Sequence, residues 1–123
     1  MIVNVDNDIK NLLMKNSEFS ELFINNCINS KFLAIEKIHS KIIAVCFVGG
    51  ILNSNGIEIN EKFRGKGLGK KLVNEVMTEC KNRKISMLTG VFKPTNMISI
   101  KTHIKIGYKP VFTIFYSTSI LPS

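Results

Sequence analysis

The sequence predicts a single α/β domain over residues 1–123. Three observations lead to this fold class. The length leaves room for one hydrophobic core, and the hydrophobic fraction of 45% is that of a globular protein. Along the chain, segments with apolar residues at helical spacing are interspersed with short runs rich in apolar and β-branched residues, which indicate helices and strands respectively. The predicted order is two short helices, three strands, a helix, a strand, a helix and a strand.

The first half of the chain carries the two short helices and the three strands. Apolar residues at helical spacing predict helices between residues 8 and 29, with a break at Asn16-Ser17, where Ser17 can cap the second helix. A turn at His39-Ser40 separates the first two strands, and the stretch 53–56 is a strong turn signal before the third. The predicted strands are 31–37, 41–49 and 57–60, with a short edge strand at 1–5.

The second half begins with an amphipathic helix. Its apolar face includes Leu72, Val76 and Cys80, while Glu75 and Glu79 fall mostly on the other side. A buried strand and a second helix follow, and Gly107 ends that helix. The predicted elements are a helix at 68–83, a strand at 85–91, a helix at 94–107 and β-rich segments at 108–111 and 112–118.

A glycine-rich, cationic stretch lies between the third strand and the helix at 68–83. Glycine adopts backbone angles that are closed to other residues and lets a ligand approach the main chain. The first turn of a helix has amides without intrahelical partners and favours an anion. The stretch therefore predicts an anion site with pyrophosphate as the natural guest. Its glycines and flanking basic residues are Gly65, Gly67, Gly69, Arg64, Lys66, Lys70 and Lys71.

The glycine spacing excludes two common phosphate motifs. A Rossmann G-x-G-x-x-G would need glycine at Lys70 or Leu72, and a P-loop would need Gly-Lys followed by Ser or Thr. What remains is Arg64-x-x-Gly67-x-Gly69, between a strand and a helix. This pattern resembles the coenzyme-A pyrophosphate loop of the Gcn5-related N-acetyltransferases, the GNAT family.

A second stretch carries the same resemblance. From Asn96 to Tyr108 the sequence has an Asn, a small residue three positions on, His103 seven positions on, and then Gly107 followed by Tyr108. This order is similar to the second signature of the GNAT family. The two signatures stand in the expected order with a predicted strand between them, and the resemblance covers residues 31–116.

The resemblance implies a fold and a cofactor. The fold would be a mixed, mostly antiparallel central sheet flanked by helices, and acetyl-CoA would be the co-substrate, with no metal. The strand before the glycine loop would splay from its neighbour and offer the backbone of Ile57 and Ile59 to the pantetheine arm, which Asn96 would help to bind. Arg64, beside the three glycines, would contact the ligand, and the alternative for it is an ordinary surface charge. The amides that would wrap the pyrophosphate belong to Gly65, Lys66, Gly67, Leu68, Gly69 and Lys70.

The resemblance also implies acetyl transfer to a primary amine by direct attack, which needs a base, an oxyanion donor and an acid. The family usually supplies the acid as a tyrosine seven residues after the Asn, and this sequence has His103 there. The alternative is a histidine that only packs or hydrogen-bonds. Glu58 is the predicted base, because its side chain points away from those of Ile57 and Ile59. The alternative for Glu58 is a solvated or substrate-binding carboxylate.

Three functions compete at this point. The first is an N-acetyltransferase acting on an amine of a small molecule or peptide, and the second is an acyl-CoA-binding module that has lost efficient chemistry. The third is a small nucleic-acid-binding domain, suggested by the net charge of +8. Only two basic residues are arginine and the lysines are scattered, so no specific nucleic-acid partner is expected.

The remaining features concern the cellular location of the protein and its oligomeric state. Cys27, Cys46 and Cys80 are odd in number and far apart, which favours reduced core thiols in a cytoplasmic protein over a metal site or disulfide. No apolar run approaches a membrane span, and residues 1–6 lack the order of a signal peptide. The chain is short for the family, which predicts an open acceptor cleft or one completed by a second subunit in a homodimer.

Overall fold

The structure is a computed structural model that describes residues 1–16, 18–51, 53–86 and 88–90, together with Lys101 and Lys105, which are both helical. The chain divides into two units, Met1–Val91 and Phe92–Ser123, and the elements below belong to the first. The predicted β-rich segments after residue 107, and both Asn96 and His103, lie outside the described residues. The single domain over 1–123 stays a prediction.

The helices and strands of the described residues follow the order that the sequence predicts. They are β1 (Ile2–Val3), α1 (Asn7–Met14), α2 (Glu21–Ile28), β2 (Phe32–Ile38), β3 (Lys41–Gly49), β4 (Ser54–Ile59), a 3-10 turn (Glu61–Phe63), α3 (Leu68–Asn82) and β5 (Thr89–Gly90).

These strands form one sheet in the order β1-β2-β3-β4-β5. The first four strands pair antiparallel, and β5 runs parallel to β4. The predicted α/β fold with a mixed, mostly antiparallel sheet is therefore confirmed. None of the helices in the described part of the chain is long and apolar enough to cross a membrane.

The helices cover the two faces of the sheet. On one face, α1 and α2 pack on β2 and β3 through a buried cluster: Ile9, Leu13, Phe19, Cys27, Leu33, Ile35, Ile42 and Val45. On the other face, α3 contacts β1 to β4, and Leu72, Val73, Val76 and Cys80 are its buried residues. The apolar face predicted for this helix is confirmed. We call the two sides of the sheet the α1–α2 face and the α3 face.

The predicted turn at His39-Ser40 is confirmed, because both residues have positive φ, 50° and 67°, between β2 and β3. The predicted turn at 53–56 is wrong, because residues 54–56 already belong to β4. The chain turns earlier, where Gly50 has φ 75° and Asn53 has φ 50°. Pairing with β3 from Ser54 onward outweighs the turn preference of these polar residues.

The break between the first two helices is confirmed, but its details differ from the prediction. The Asn16 side chain accepts hydrogen bonds from the amides of Glu18 and Phe19 and donates one to the Ile42 carbonyl, so it holds a turn rather than a helix. The cap of α2 is Ser20, whose Oγ accepts from the Phe23 amide at 3.2 Å. The prediction of Ser17 as the cap is wrong.

The strand predicted at 85–91 begins later, because the end of α3 takes its first residues. Lys84 has φ 60°, and the Ile85 amide donates to the Cys80 carbonyl at 2.8 Å. This pairing satisfies a carbonyl at the helix end and keeps Ile85 out of the sheet. Within the described residues, β5 consists of Thr89–Gly90.

Candidate functional site

The site begins where β4 ends, at the buried residue Asn60. Its amide donates to the Ile43 carbonyl at 2.7 Å, and its side-chain oxygen accepts from the Lys62 amide at 3.0 Å. Its side-chain amide donates to Glu18, whose carboxylate also pairs with Lys41 Nζ at 2.7 Å. Asn60 is therefore fixed on three sides, and the loop that follows starts from a defined position.

The loop itself depends on the backbone freedom of two glycines. Gly65 has φ 77° and Gly67 has φ 80°, in the left-handed region that is costly for residues with a Cβ. Apart from its chain neighbours, a Cβ at either position would meet no atom of the described residues within 4 Å. Glycine is therefore required there by backbone conformation and not by lack of space.

Gly69 is different, because it lies inside the first turn of α3. A Cβ there would lie 3.6 Å from Ile59 Cδ1 and 3.7 Å from Ile57 Cδ1, which is ordinary van der Waals contact. The side chains of Ile57 and Ile59 therefore point to the α3 face, and the start of α3 rests on them.

The amides of this loop and of the first turn of α3 face no competing acceptor. Gly67 caps the helix with its backbone alone, and the first turn carries no acidic residue. The first backbone bond of the helix runs from the Lys71 amide to the Gly67 carbonyl at 3.1 Å. Within the described residues, no acceptor pairs with the amides of residues 65–70. Six consecutive amides at the positive end of a helix dipole form a site for an anion.

The basic side chains around this loop have different partners. Arg64 Nε donates to the Ile59 carbonyl at 3.1 Å, and Lys66 Nζ lies 5.4 Å from the centre of the Phe63 ring. Lys71 pairs with Glu36 on β2 at 2.8 Å, and this hydrogen bond raises the pKa of Lys71. Lys71 is thus engaged away from the loop, whereas Arg64 and Lys66 remain beside it.

Glu58 lies on the opposite face of β4 from Ile57 and Ile59. It pairs in register with Val45 of β3, a member of the α1–α2 face cluster, and its side chain is 40% exposed. Its carboxylate Oε1 is 3.9 Å from Arg64 Nη2. A half-exposed pair at this distance contributes little stability, so the carboxylate can exchange this partner for another cation.

The thiols lie in the interior, as the sequence predicts. Cys27, Cys46 and Cys80 are free and buried. Burial raises the pKa of Cys27 and of Cys46 to about 12, and it also raises the pKa of Cys80. Such thiols are poor nucleophiles at neutral pH. In the described part of the chain, no three His, Cys, Asp or Glu side chains come together as metal ligands.

The structure thus brings Glu58, the backbone of Ile57 and Ile59, Arg64 and residues 65–70 into one continuous region. Within the described residues, β4 pairs with β5 at Ser54 and Asn55. The predicted splay of these strands and the positions of Asn96 and His103 stay predictions. The Asn60–Glu18 contact was not predicted, because it joins residues 42 positions apart and local patterns carry no signal for it.

The chain was compared with protein families and with known proteins. Residues 24–108 match the model of the acetyltransferase (GNAT) family, a range that includes Glu58 and the whole glycine loop. A comparison with curated protein sequences gave no significant match.

Several solved structures share the fold. A GNAT family acetyltransferase from Elizabethkingia anophelis, solved with acetyl-CoA bound, has a TM-score of 0.63 and 21% identity over 73% of this chain and 61% of its own. This chain therefore spans less than two thirds of that protein. An IAA acetyltransferase from Bacillus cereus has a TM-score of 0.69 and 20% identity, over 92% and 77% of the two chains.

A third similar structure matches nearly end to end. An aminoglycoside 6'-N-acetyltransferase from Acinetobacter haemolyticus has a TM-score of 0.64 and 15% identity, with 99% of both chains covered. These three structures share the overall fold of this chain, and the family model matches more than half of its residues. The chain belongs to the acetyltransferase (GNAT) family.

Proposed function

We propose that this protein is an N-acetyltransferase that moves an acetyl group from acetyl-CoA to a primary amine of a small molecule or peptide. The observation that carries the proposal is the run of six amides from Gly65 to Lys70 at the start of α3, none of which pairs with an acceptor among the described residues, with Glu58 on the adjoining strand. The acetyl-CoA bound to the similar Elizabethkingia anophelis protein supports the same cofactor here.

The loop would hold the pyrophosphate of coenzyme A. Its amides would donate to the phosphate oxygens, and Arg64, Lys66 and Lys70 would add positive charge around them. The backbone of Ile57 and Ile59, with Asn96, would hydrogen-bond the pantetheine arm. Because these contacts are partly electrostatic, we expect the dissociation constant for acetyl-CoA to rise with salt concentration.

The chemistry would be a direct transfer. Glu58 would take a proton from the acceptor ammonium, directly or through a water, so that the amine nitrogen has a free lone pair. The nitrogen attacks the thioester carbonyl carbon, and the positively charged nitrogen of the tetrahedral intermediate loses its second proton to water. The intermediate then collapses and the C–S bond breaks. His103 would give a proton to the departing thiolate. The products are an N-acetyl amine and coenzyme A, and no metal is required.

The test has two parts, binding and turnover. Calorimetry with acetyl-CoA should show binding that weakens with salt, and thiol release with a panel of primary amines should show turnover. Glu58→Gln should lower turnover by about 100-fold while leaving acetyl-CoA affinity nearly unchanged. Glu79→Gln is the matched control, since Glu79 pairs with Arg83 on α3 at 2.7 Å, and it should keep wild-type turnover.

The proposed acid is tested by His103→Phe, which should reduce turnover without changing acetyl-CoA affinity. Its control is His39→Asn, because Asn tolerates the positive φ of the β2–β3 turn. Unaltered turnover in His103→Phe would exclude the acid role. Acetyl-CoA binding without turnover on any amine would instead assign the second function, a binding module with no efficient chemistry.

The proposal also includes the domain organisation, the location and the oligomeric state of the protein. It treats residues 1–123 as one domain and places the protein in the reducing cytoplasm, a location supported by the three free, buried thiols. A second subunit could complete the acceptor side of the site, and sedimentation of the protein with and without acetyl-CoA would establish the oligomeric state.

A further inference from the structure

Three phenylalanines form a row on the same face of the sheet as Glu58. The rings of Phe19 and Phe23 meet edge to face with centroids 5.5 Å apart, and those of Phe23 and Phe47 do so at 5.6 Å. Phe19 is buried in the α1–α2 face cluster, whereas Phe23 and Phe47 are half-buried. The row therefore runs from the core beneath α2 out to the surface of β3.

The last ring of this row lies across β4. Phe47 pairs in register with Gly56, and a Cβ built on Gly56 would lie 2.5 Å from Cε2 and 2.8 Å from Cζ of the Phe47 ring. The ring thus occupies the space that a side chain at position 56 would take. This contact explains a glycine in the middle of a strand, where it otherwise weakens the sheet.

Glu58 is the next residue on that face of β4. Residues two apart on a strand point to the same side, about 7 Å from each other. Val45, which pairs with Glu58, is fully buried. Glu58, Val45, Phe47 and Gly56 are therefore neighbours on this face. They combine a half-exposed carboxylate, a buried apolar side chain and the surface of an aromatic ring that lies over a glycine.

The surroundings favour a single positive charge on the ligand. Glu18, which reaches Asn60 at this end of β4, is already held by Lys41 and Asn60. Glu58 instead has a long contact with Arg64, which it can exchange for a ligand cation. An ammonium group bound there would pair with Glu58, and an apolar body attached to it would meet the aromatic surface of Phe47.

We propose that the acceptor is an arylalkylamine, whose ammonium group binds Glu58 and whose ring packs on Phe47 and Phe23. This proposal rests on the proposed function and adds the class of acceptor to it. An aromatic ring stacked on phenylalanine removes apolar area from water, and the ammonium is attracted both by the carboxylate and by the ring faces. Phe47 and Gly56 together then determine specificity, because Gly56 sets the position of the Phe47 ring.

The experiment compares two singly charged amines, phenethylamine and ethanolamine, and adds a polyamine as a third acceptor. Phenethylamine should be acetylated with a kcat/KM at least about tenfold above that of ethanolamine, as expected for burying part of a ring. Spermidine, with several charges, should gain nothing over ethanolamine. Phe47→Leu and Gly56→Ala, which remove or displace the ring, should each reduce the preference for phenethylamine severalfold while the KM for acetyl-CoA stays constant.

The control is Phe32→Leu, which removes a ring of the same size from the fully buried part of β2. Phe32 pairs with Val48 and so lies on the α3 face, away from Glu58. This variant should keep the wild-type ratio between the two amines. Equal or better use of ethanolamine by the wild type would overturn the proposal, as would an unchanged ratio in Phe47→Leu.

A second measurement applies where turnover is absent with every amine. Calorimetry of the wild-type protein saturated with coenzyme A should show phenethylammonium binding about tenfold tighter than ethanolammonium, and equal affinities would overturn the proposal. Acetyl-CoA binding is measured separately. Its loss would contradict the proposed function, whereas intact acetyl-CoA binding with no preference between amines would contradict only the acceptor class.

Discussion

The three glycines of the loop before α3 have distinct roles, although the sequence presents them as one motif. Gly65 and Gly67 have positive φ, with open space for a Cβ among the described residues. Gly69 is an ordinary helical residue, where a Cβ would make van der Waals contact with Ile57 and Ile59. The pattern predicted that the loop precedes a helix and carries an anion site. It could not assign a conformation to each glycine, because φ depends on how the 3-10 turn at 61–63 directs the chain.

Substitution by alanine separates these roles. Gly67→Ala should lower the free energy of unfolding by about 1–2 kcal/mol, because a Cβ is unfavourable at this φ. Gly69→Ala should be neutral or stabilising by up to about 1 kcal/mol, since alanine is the better helix former and its Cβ fits. Urea denaturation of both variants measures the difference. An equal loss in the two variants would contradict the assignment of strain to Gly67.

Several side-chain contacts of the site could not be predicted from the sequence. Lys71 stands in the basic stretch but reaches Glu36, and Asn60 is fixed by Glu18. Both contacts join residues far apart in sequence, so they follow from the packing of the elements. In the sequence, Phe47 is one more apolar residue of a central strand. Only the register shows that its ring covers Gly56, the neighbour of Glu58 on the same face of β4.

At the scale of elements, the sequence predicts helices and long strands well and their junctions less well. The helix α3 begins at the predicted residue and ends at Asn82, one residue before the predicted end. The junctions differ because tertiary contacts decide them. β4 begins at Ser54 because β3 offers partners there, and β5 begins late because Ile85 is bonded to the end of α3.

The end of α3 gives a prediction of its own. Lys84 adopts φ 60° so that its amide can donate to the Lys81 carbonyl and the Ile85 amide to the Cys80 carbonyl. Glycine is the preferred residue at this position, so Lys84→Gly should raise the free energy of unfolding by about 1 kcal/mol. Thermal or urea unfolding checks this value.

The matched control for this change is Lys81→Gly, three residues earlier on the exposed surface of α3. There the backbone is helical, and glycine should destabilise by about 1 kcal/mol. Both substitutions replace a lysine by glycine, one within the last turn of α3 and one just after its end. Their expected changes in the free energy of unfolding have opposite signs. Destabilisation in both would mean that Lys84 does not occupy a left-handed cap in solution.

At the scale of the whole molecule, the sheet separates two tasks. The α3 face carries the start of the helix and its anion site, and the α1–α2 face carries Glu58 and the phenylalanine row. The three cysteines are buried on both sides of this sheet, on α2, β3 and α3. Their odd number and spacing predicted interior thiols, and their burial confirms that prediction.

These thiols make stability depend on alkaline pH. Burial raises the pKa of Cys27 and Cys46 from 9.0 to about 12, so between these values the unfolded chain loses protons that the folded chain keeps. The free energy of unfolding should therefore fall as pH rises from about 9 to about 12, by about 1.4 kcal/mol per pH unit for each thiol. Below pH 9 this contribution is fully present.

Urea denaturation over this pH range measures the slope, and Cys27→Ala and Cys46→Ala should each make it shallower. Lys71 also has a raised pKa, from its hydrogen bond with Glu36, and its contribution has the same sign but begins above 10.5. Lys71→Met separates the two effects, because it leaves the slope just above pH 9 unchanged. A slope that survives both cysteine substitutions would contradict the prediction.

The open space around Gly65 and Gly67 has a stereochemical consequence. Positive φ is unfavourable for L-residues because of where their Cβ lies, and for D-residues it is the preferred region. Apart from its chain neighbours, a Cβ at either position would meet no atom of the described residues within 4 Å. The loop therefore requires a residue that favours positive φ, and a residue with a Cβ fits there if its configuration is D. D-alanine introduced at position 67 by chemical ligation would keep the loop conformation and restrict the unfolded chain. The glycine loop is thus a place where a mirror-image residue suits this protein better than any encoded one except glycine.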